Sequence, residues 1–239
     1  MTDSFCLIPA RSGSKTLKHK NILLLKGLPL MEYTIRACIE SRIFDKVYVA
    51  TDSREYADLA VKAGACVPFL EPPEMAGDTV GSSVPLLYFY NKLIQKGMAE
   101  CKYLWCMQPS SPLRTSGDIK RACQIISSSP ECDFLVSTTL IDPHYFHWAL
   151  EKRDDNFSSL YFGENMLVDR SLLKPVVFRP NGAIKVARPE ALIKQGNFFG
   201  PSLMTMDMPE NRSVHVRTAF DFNLCEYILE REPENFWLN

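Results

Sequence analysis

Ile8-Pro9-Ala10-Arg11-Ser12-Gly13-Ser14-Lys15-Thr16-Leu17-Lys18-His19-Lys20-Asn21 is the stretch on which the reading of this chain turns. An apolar run beginning at Phe5 ends in a loop of small residues carrying four fixed positive charges, on Arg11, Lys15, Lys18 and Lys20. Small side chains let backbone N–H groups close around an anion, and the basic residues supply the charge. Strand, small-residue turn and basic cluster occur in the order that anion sites use. The loop has neither the Gly-x-Gly-x-x-Gly pattern of dinucleotide sites nor the Gly-x4-Gly-Lys-Ser/Thr pattern of a P-loop.

Outward from this loop, short apolar runs alternate with longer amphipathic ones, the pattern of repeated βα units on a parallel sheet. The runs predict strands at 5–9, 46–50, 66–70, 103–107 and 133–138. A helix is expected over 29–41, where Met31, Ile35, Cys38 and Ile39 share a face. Asp52-Ser53-Arg54-Glu55 and Thr115-Ser116-Gly117-Asp118 resemble capping boxes, and Asp221 is placed to cap a last helix starting at Thr218. Loops 10–21, 51–52, 71–83 and 108–115 follow strands, which is where open α/β sheets hold their ligands.

The alternation fails over 140–177, a polar and aromatic stretch punctuated by Pro143 and Pro175. Tyr145, Phe146, Trp148, Phe157, Tyr161 and Phe162 are too apolar to leave in water, so we read it as a dimerisation arm or lid. The main domain is then 1–139 and 178–239, closing with a short strand at 213–216 before the final helix.

With 239 residues, 46% apolar and 23% charged, the composition is that of an ordinary globular protein. A net charge of -1 argues against a broad nucleic-acid surface. The eight cysteines form no Cys-x-x-Cys pair and read as reduced core thiols of a cytoplasmic protein. Cys101 and Cys106 with His144 and His147 lack the spacing of a zinc module. The first ten residues carry no basic leader, and nothing approaches the roughly 20 apolar residues of a membrane span.

Taken with Lys20-Asn21, Thr51-Asp52, Pro72-Pro73-Glu74-Met75-Ala76-Gly77-Asp78-Thr79, Gln108-Pro109-Ser110-Ser111-Pro112-Leu113-Arg114 and Phe178-Arg179-Pro180-Asn181-Gly182-Ala183-Ile184, the first loop resembles the acylneuraminate cytidylyltransferase family, the CMP-sialic acid synthetases and their relatives. The resemblance implies a Rossmann-like nucleotidyltransferase with a mostly parallel α/β sheet, usually homodimeric. In that family the anomeric hydroxyl of a 2-keto sugar acid attacks the α-phosphate of CTP, and pyrophosphate leaves with help from Mg2+ (or Mn2+). By the same resemblance, Arg11, Lys15 and Lys20 serve the phosphates and the chemistry. Ser14, Asn21, Asp78 and Ser82 serve the nucleotide, and Gln108, Arg179, Asn181, Phe198 and Phe199 the sugar acid. Gln and Asn suit a polyol because each offers donors and an acceptor.

The chain departs from that pattern at its C-terminal signature. The family's Ser-Val-Asp-Ile-Asp-Thr holds a magnesium ion on two aspartates; here the residues are Ser213-Val214-His215-Val216-Arg217-Thr218. Magnesium prefers oxygen ligands and arginine has no acceptor, so neither replacement is a ligand for it. Glu71 stands where the family commonly has arginine, which predicts that Glu71 and Arg217 have exchanged charge across the site, and Lys185 stands in place of a tyrosine. Three readings follow: an active enzyme in which Arg217 supplies charge, a nucleotide binder with little turnover, or an enzyme for a different sugar acid with metal on Asp207, Asp221 or Glu226. His215 is the one histidine placed to act as a base there, against the plainer reading of a structural side chain. The identity of the sugar acid is left open.

Overall fold

The computed structural model describes residues 3–13, 16–72, 81, 83–98, 100–152, 157–163 and 167–232. The first βα unit is β1 (Ser4–Pro9), the hairpin β2 (Leu24–Leu25) and β3 (Leu28–Pro29), and α1 (Leu30–Ser41). Next come β4 (Val47–Ala50), α2 (Arg54–Lys62), α3 (Ser83–Gln95), β5 (Tyr103–Cys106), α4 (Ser116–Ser128) and β6 (Phe134–Leu140). The remainder is α5 (Pro143–His147), β7 (Leu150–Lys152), β8 (Ser158–Leu160), β9 (Phe178–Ala187), α6 (Pro189–Gln195), β10 (Leu203–Asp207) and α7 (Ala219–Arg231).

Six strands form one sheet in the order β10-β6-β9-β5-β1-β4, parallel except for β9, which runs antiparallel between β5 and β6. Apolar residues alternate across it because strand side chains alternate faces. Cys6, Ile8, Trp105 and Leu135 pack with Met31, Ile35 and Cys38 of α1 and Ile119, Ala122 and Ile126 of α4. Phe5, Leu7, Leu104, Cys106 and Phe134 pack on the other face with Leu86, Phe89 and Leu93 of α3 and Leu192 of α6. Burial of both faces explains why β1 and β5 read as continuous apolar runs. A third cluster seats Cys225, Ile228 and Leu229 of α7 against Leu25, Leu30 and Tyr33.

Two predicted strands are corrected. The 66–70 run contributes a single parallel bridge, Tyr48 to Cys66, at the sheet edge beside β4. The last strand is β10, not 213–216; the latter is irregular chain that pairs with no strand. Its polar groups are satisfied from elsewhere, the Val216 N–H donating to Ser110 O at 2.7 Å. The capping boxes at Thr115/Asp118 and Thr218/Asp221 form as expected. The one at Asp52 does not: Ser53 caps α2, because both Asp52 oxygens are engaged by Ser12.

The excursion leaves the main sheet after β6, and its hairpin β7-β8 pairs only with itself. Tyr145 is 83% exposed, and Phe157, Tyr161 and Leu172 are also largely exposed. No helix among the described residues is long and apolar enough to cross a membrane. All eight cysteines are free, five of them buried.

Candidate active site

The N-terminal loop is fixed from below by the neighbouring strand. Asp52, just past β4, accepts from the Ser12 N–H and Oγ at 2.8 Å each. The buried Asn21 donates to Arg11 O at 3.0 Å, closing the loop on itself. Lys20 reaches out of the loop to the other end of the chain and donates to Val216 O at 2.9 Å. Partial burial and the nearby Arg11 charge lower the Lys20 pKa, so these two expected phosphate contacts act on each other in space. Ser14, Lys15, Asp78 and Ser82 lie outside the described residues.

The second wall of the site comes from a break in the β6-β9 ladder. The register shifts between Val136 and Thr138, and the side chains of Ser137 and Asn181 occupy the gap. Ser137 Oγ donates to Asn181 Oδ1 at 2.5 Å and accepts from the Ile184 N–H at 2.8 Å. Asn181 also accepts from the Ala183 N–H and donates to Ser213 Oγ at 2.9 Å. Its amide is thereby committed within the protein, so Asn181 lines the cavity while holding the bulge; the expectation of a free amide for a polyol is corrected.

Gly182 follows with φ +76°, and a Cβ there would lie 2.8 Å from His215 Nδ1 and 3.0 Å from Gln108 Oε1. Only glycine meets both demands, a left-handed backbone and a near-contact with two side chains. Below this bulge Arg114 is buried and donates to Ala183 O at 2.7 Å, Gln108 O at 2.8 Å and Thr34 Oγ1 at 3.0 Å. One planar fork thus ties β9, the loop after β5 and α1 together.

These elements enclose a cavity of about 1060 Å³ whose described lining includes Arg179, Lys185, Phe199, Glu210, His215, Arg217 and Asp221. Phe198, expected beside Phe199, is corrected to a core residue: its ring is buried on the α3 face, with the Lys185 ammonium 5.7 Å above it. His215 is held between two hydroxyls, Ser110 Oγ to Nε2 and Ser111 Oγ to Nδ1, both at 3.1 Å. Burial, then the charges of Lys20, Arg217 and Lys185, push its pKa down to about 4, so the imidazole is neutral near pH 7. The two serines stand within the quoted 108–114 block, but only the fold shows that they grip residue 215.

Glu71 is also corrected. It is 6% exposed, its Oε1 has no hydrogen-bond partner among the described residues, and burial followed by the Asp52 charge raises its pKa to about 7. The charge acting on it is that of Asp52, whereas Arg217 acts on His215 and Asp221, so the expected exchange of charge with Arg217 is not made.

The donors present do not fit a resident magnesium ion. Asp221 Oδ2 accepts from the Arg217 and Thr218 N–H groups and from Thr218 Oγ1, at 2.8–3.0 Å. Asp207 Oδ1 accepts from Thr138 Oγ1 at 2.7 Å. Among the described residues no group of three or more His, Cys, Asp or Glu is placed to hold a metal.

A family model described as cytidylyltransferase matches residues 5–141. The chain is 33% identical over 219 residues, 91% of its length, to the N-acylneuraminate cytidylyltransferase of Streptococcus agalactiae, of which it spans 51%. It is 31% identical to the Escherichia coli protein of that name, covering 97% of this chain and 53% of the relative, so it spans about half the length of these relatives. Against the CMP-N,N'-diacetyllegionaminic acid synthase of Legionella pneumophila identity is 28%, over 95% of this chain and 97% of the relative. Among solved structures, a CMP:2-keto-3-deoxy-manno-octonic acid synthetase complexed with CTP shares the fold with a TM-score of 0.71 at 16% identity, covering 96% of this chain and 99% of its own. The family model covers more than half of the chain and the relatives extend over nearly all of it: the chain belongs to the cytidylyltransferase family.

Proposed function

We propose that this chain transfers the cytidylyl group of CTP to a 2-keto sugar acid and releases pyrophosphate. The observation that carries the reading is the Lys20 to Val216 bond, which brings the basic loop onto the cavity lined by Arg179, Lys185 and Arg217. The names of the relatives, which include sialic, legionaminic and pseudaminic acid enzymes, supply the substrate class.

In this reading Arg11 and Lys20 meet the triphosphate, with Lys15 completing the set. The sugar hydroxyl oxygen forms a bond to the α-phosphorus while the bond from that phosphorus to the bridging oxygen breaks. Cations already in place stabilise charge as it grows on the leaving pyrophosphate without reorganising. Arg179 and Lys185 offer charge for the carboxylate of the sugar acid, and Phe199 an apolar wall. Gln108, with its Oε1 over Gly182, provides a polar group for the polyol. Residues 140–177 form the surface on which a second copy sits, in keeping with their exposed aromatic residues. A cytoplasmic location accords with eight cysteines that form no disulfide.

A second reading, nucleotide binding with little turnover, is favoured by the lack of a metal-ligating carboxylate cluster among the described residues. The two separate by pyrophosphate release from CTP with a panel of 2-keto sugar acids, beside the His215→Asp/Arg217→Asp double variant. Turnover by the parent chain upholds the first. Turnover only in the double variant upholds the second, and none in either, with CTP bound by neither, overturns both.

A further inference from the structure

We propose that the cavity holds the nucleoside triphosphate by side-chain cations in the place of a protein-bound divalent ion, with Arg217, beside the Lys20 anchor, as the compensating cation. The inference rests on the cytidylyltransferase reading and goes beyond it. Residues 215–217 lie outside any strand between β10 and α7, and both cations are tied to this segment. Lys20 is anchored on the carbonyl of Val216, and Arg217, the next residue, has its N–H fixed by Asp221. Its side chain is exposed and lines the cavity, so the guanidinium faces an incoming ligand.

The charges facing this point from the surrounding elements are unequal. Arg179 and Lys185 of β9 and Arg217 of the 215–217 segment line the cavity, and Lys20 of the N-terminal loop, with Arg11 near it, reaches the Val216 carbonyl between His215 and Arg217. Opposing them are Asp221, which caps α7, and the exposed Glu210. His215, between Ser110 and Ser111, adds no charge near pH 7, since burial and the charges of Lys20, Arg217 and Lys185 keep the ring neutral. Among the described residues the lining carries the cations Arg179, Lys185 and Arg217, and a guanidinium grips phosphate oxygens through paired N–H donors. The carboxylates among the described lining are the exposed Glu210 and, beside the Arg217 cation, Asp221, which is already engaged as the cap of α7.

The test is calorimetric binding of CTP to the full chain in excess EDTA and in excess Mg2+, for the wild type and for Arg217→Asp. Arg217 is exposed, so the substitution leaves the core untouched, and an unchanged thermal melt checks this. The expected result is wild-type affinity in EDTA within roughly threefold of that in Mg2+, and a loss of roughly tenfold to a hundredfold for Arg217→Asp in EDTA, the worth of a charge-assisted hydrogen bond. Mg2+ then restores binding to the variant, whose new carboxylate is a ligand for it. Wild-type binding that appears only with Mg2+, or an Arg217→Asp affinity unchanged in EDTA, overturns the inference while leaving the cytidylyltransferase reading standing. Failure of the folded wild type to bind CTP in either buffer overturns both.

Discussion

The Lys20 ammonium lies 2.9 Å from the Val216 carbonyl, joining residues 196 positions apart. This bond closes the site: one partner belongs to the loop after the first strand, the other to the segment leading into the last helix. That segment is otherwise held by the Val216 N–H on Ser110 O and by the buried Val216 side chain against α7. The cation loop and the altered signature are thus parts of a single wall, and substitutions in either should register in the other.

Gly182→Ala should damage both stability and the site. A left-handed alanine costs about 1–2 kcal/mol in backbone strain, and its Cβ would push on His215 and Gln108. We expect a total loss of about 2–4 kcal/mol in urea denaturation, together with weakened CTP binding. An unchanged denaturation midpoint would refute this account of the bulge.

Arg114→Met should leave the acceptors on Ala183 and Thr34 without their Arg114 donor in a buried setting, while Gln108 O keeps the Ser111 N–H and Thr34 Oγ1. Each orphaned buried acceptor costs about 1–3 kcal/mol, so a loss of about 3 kcal/mol or more is expected. Arg114→Lys should recover little of it, because an ammonium cannot reproduce the three-way fork. Equal stability of the lysine variant and the wild type would show that charge, and not geometry, is what the site needs.

Glu71 predicts a pH dependence whose sign is fixed by its raised pKa. From 4.5 to about 7 the folded protein holds a proton that the unfolded chain has released, so this group's contribution falls as pH rises through that window. Glu71→Gln removes the titration and should therefore gain on the wild type as pH rises. The gain should reach on the order of 2–3 kcal/mol at pH 8, at ~1.4 kcal/mol per pKa unit, and be near zero at pH 4. Urea midpoints for both proteins at pH 4, 6 and 8 measure it, and a gain confined to low pH would contradict the assignment.

The exposed apolar surface of 140–177 predicts self-association. Sedimentation should give a dimer for the wild type and a monomer for Tyr145→Glu/Leu172→Glu, both exposed positions, with little change in the thermal melt. A monomeric wild type would remove the arm from the proposed function.

Much of the core was legible because its signals are local. β1, β4, β5 and β6 follow from apolar runs bounded by turn residues, and α1 from apolar residues at helical spacing. Thr115/Asp118 and Thr218/Asp221 satisfy their helix ends within four residues. Where a local rule met a distant competitor, the reading failed: Asp52 was drawn from its helix by Ser12, forty positions away. The alternating 213–216 segment has a strand's pattern but no strand beside it, and a ladder needs a partner that pattern cannot supply.

The sequence by itself determined the α/β class, the basic loop, the family and the loss of two carboxylates at positions 215 and 217, since each is a matter of residue type and short-range order. Tertiary structure alone decided that Asn181 braces a bulge, that Phe198 belongs to the core, that the Asp52 charge acts on Glu71 and that His215, gripped by two serines, is kept neutral by burial among cations. These outcomes depend on which distant groups meet out of water, where an unpaired polar atom is costly and each donor or acceptor takes the partner the fold brings to it.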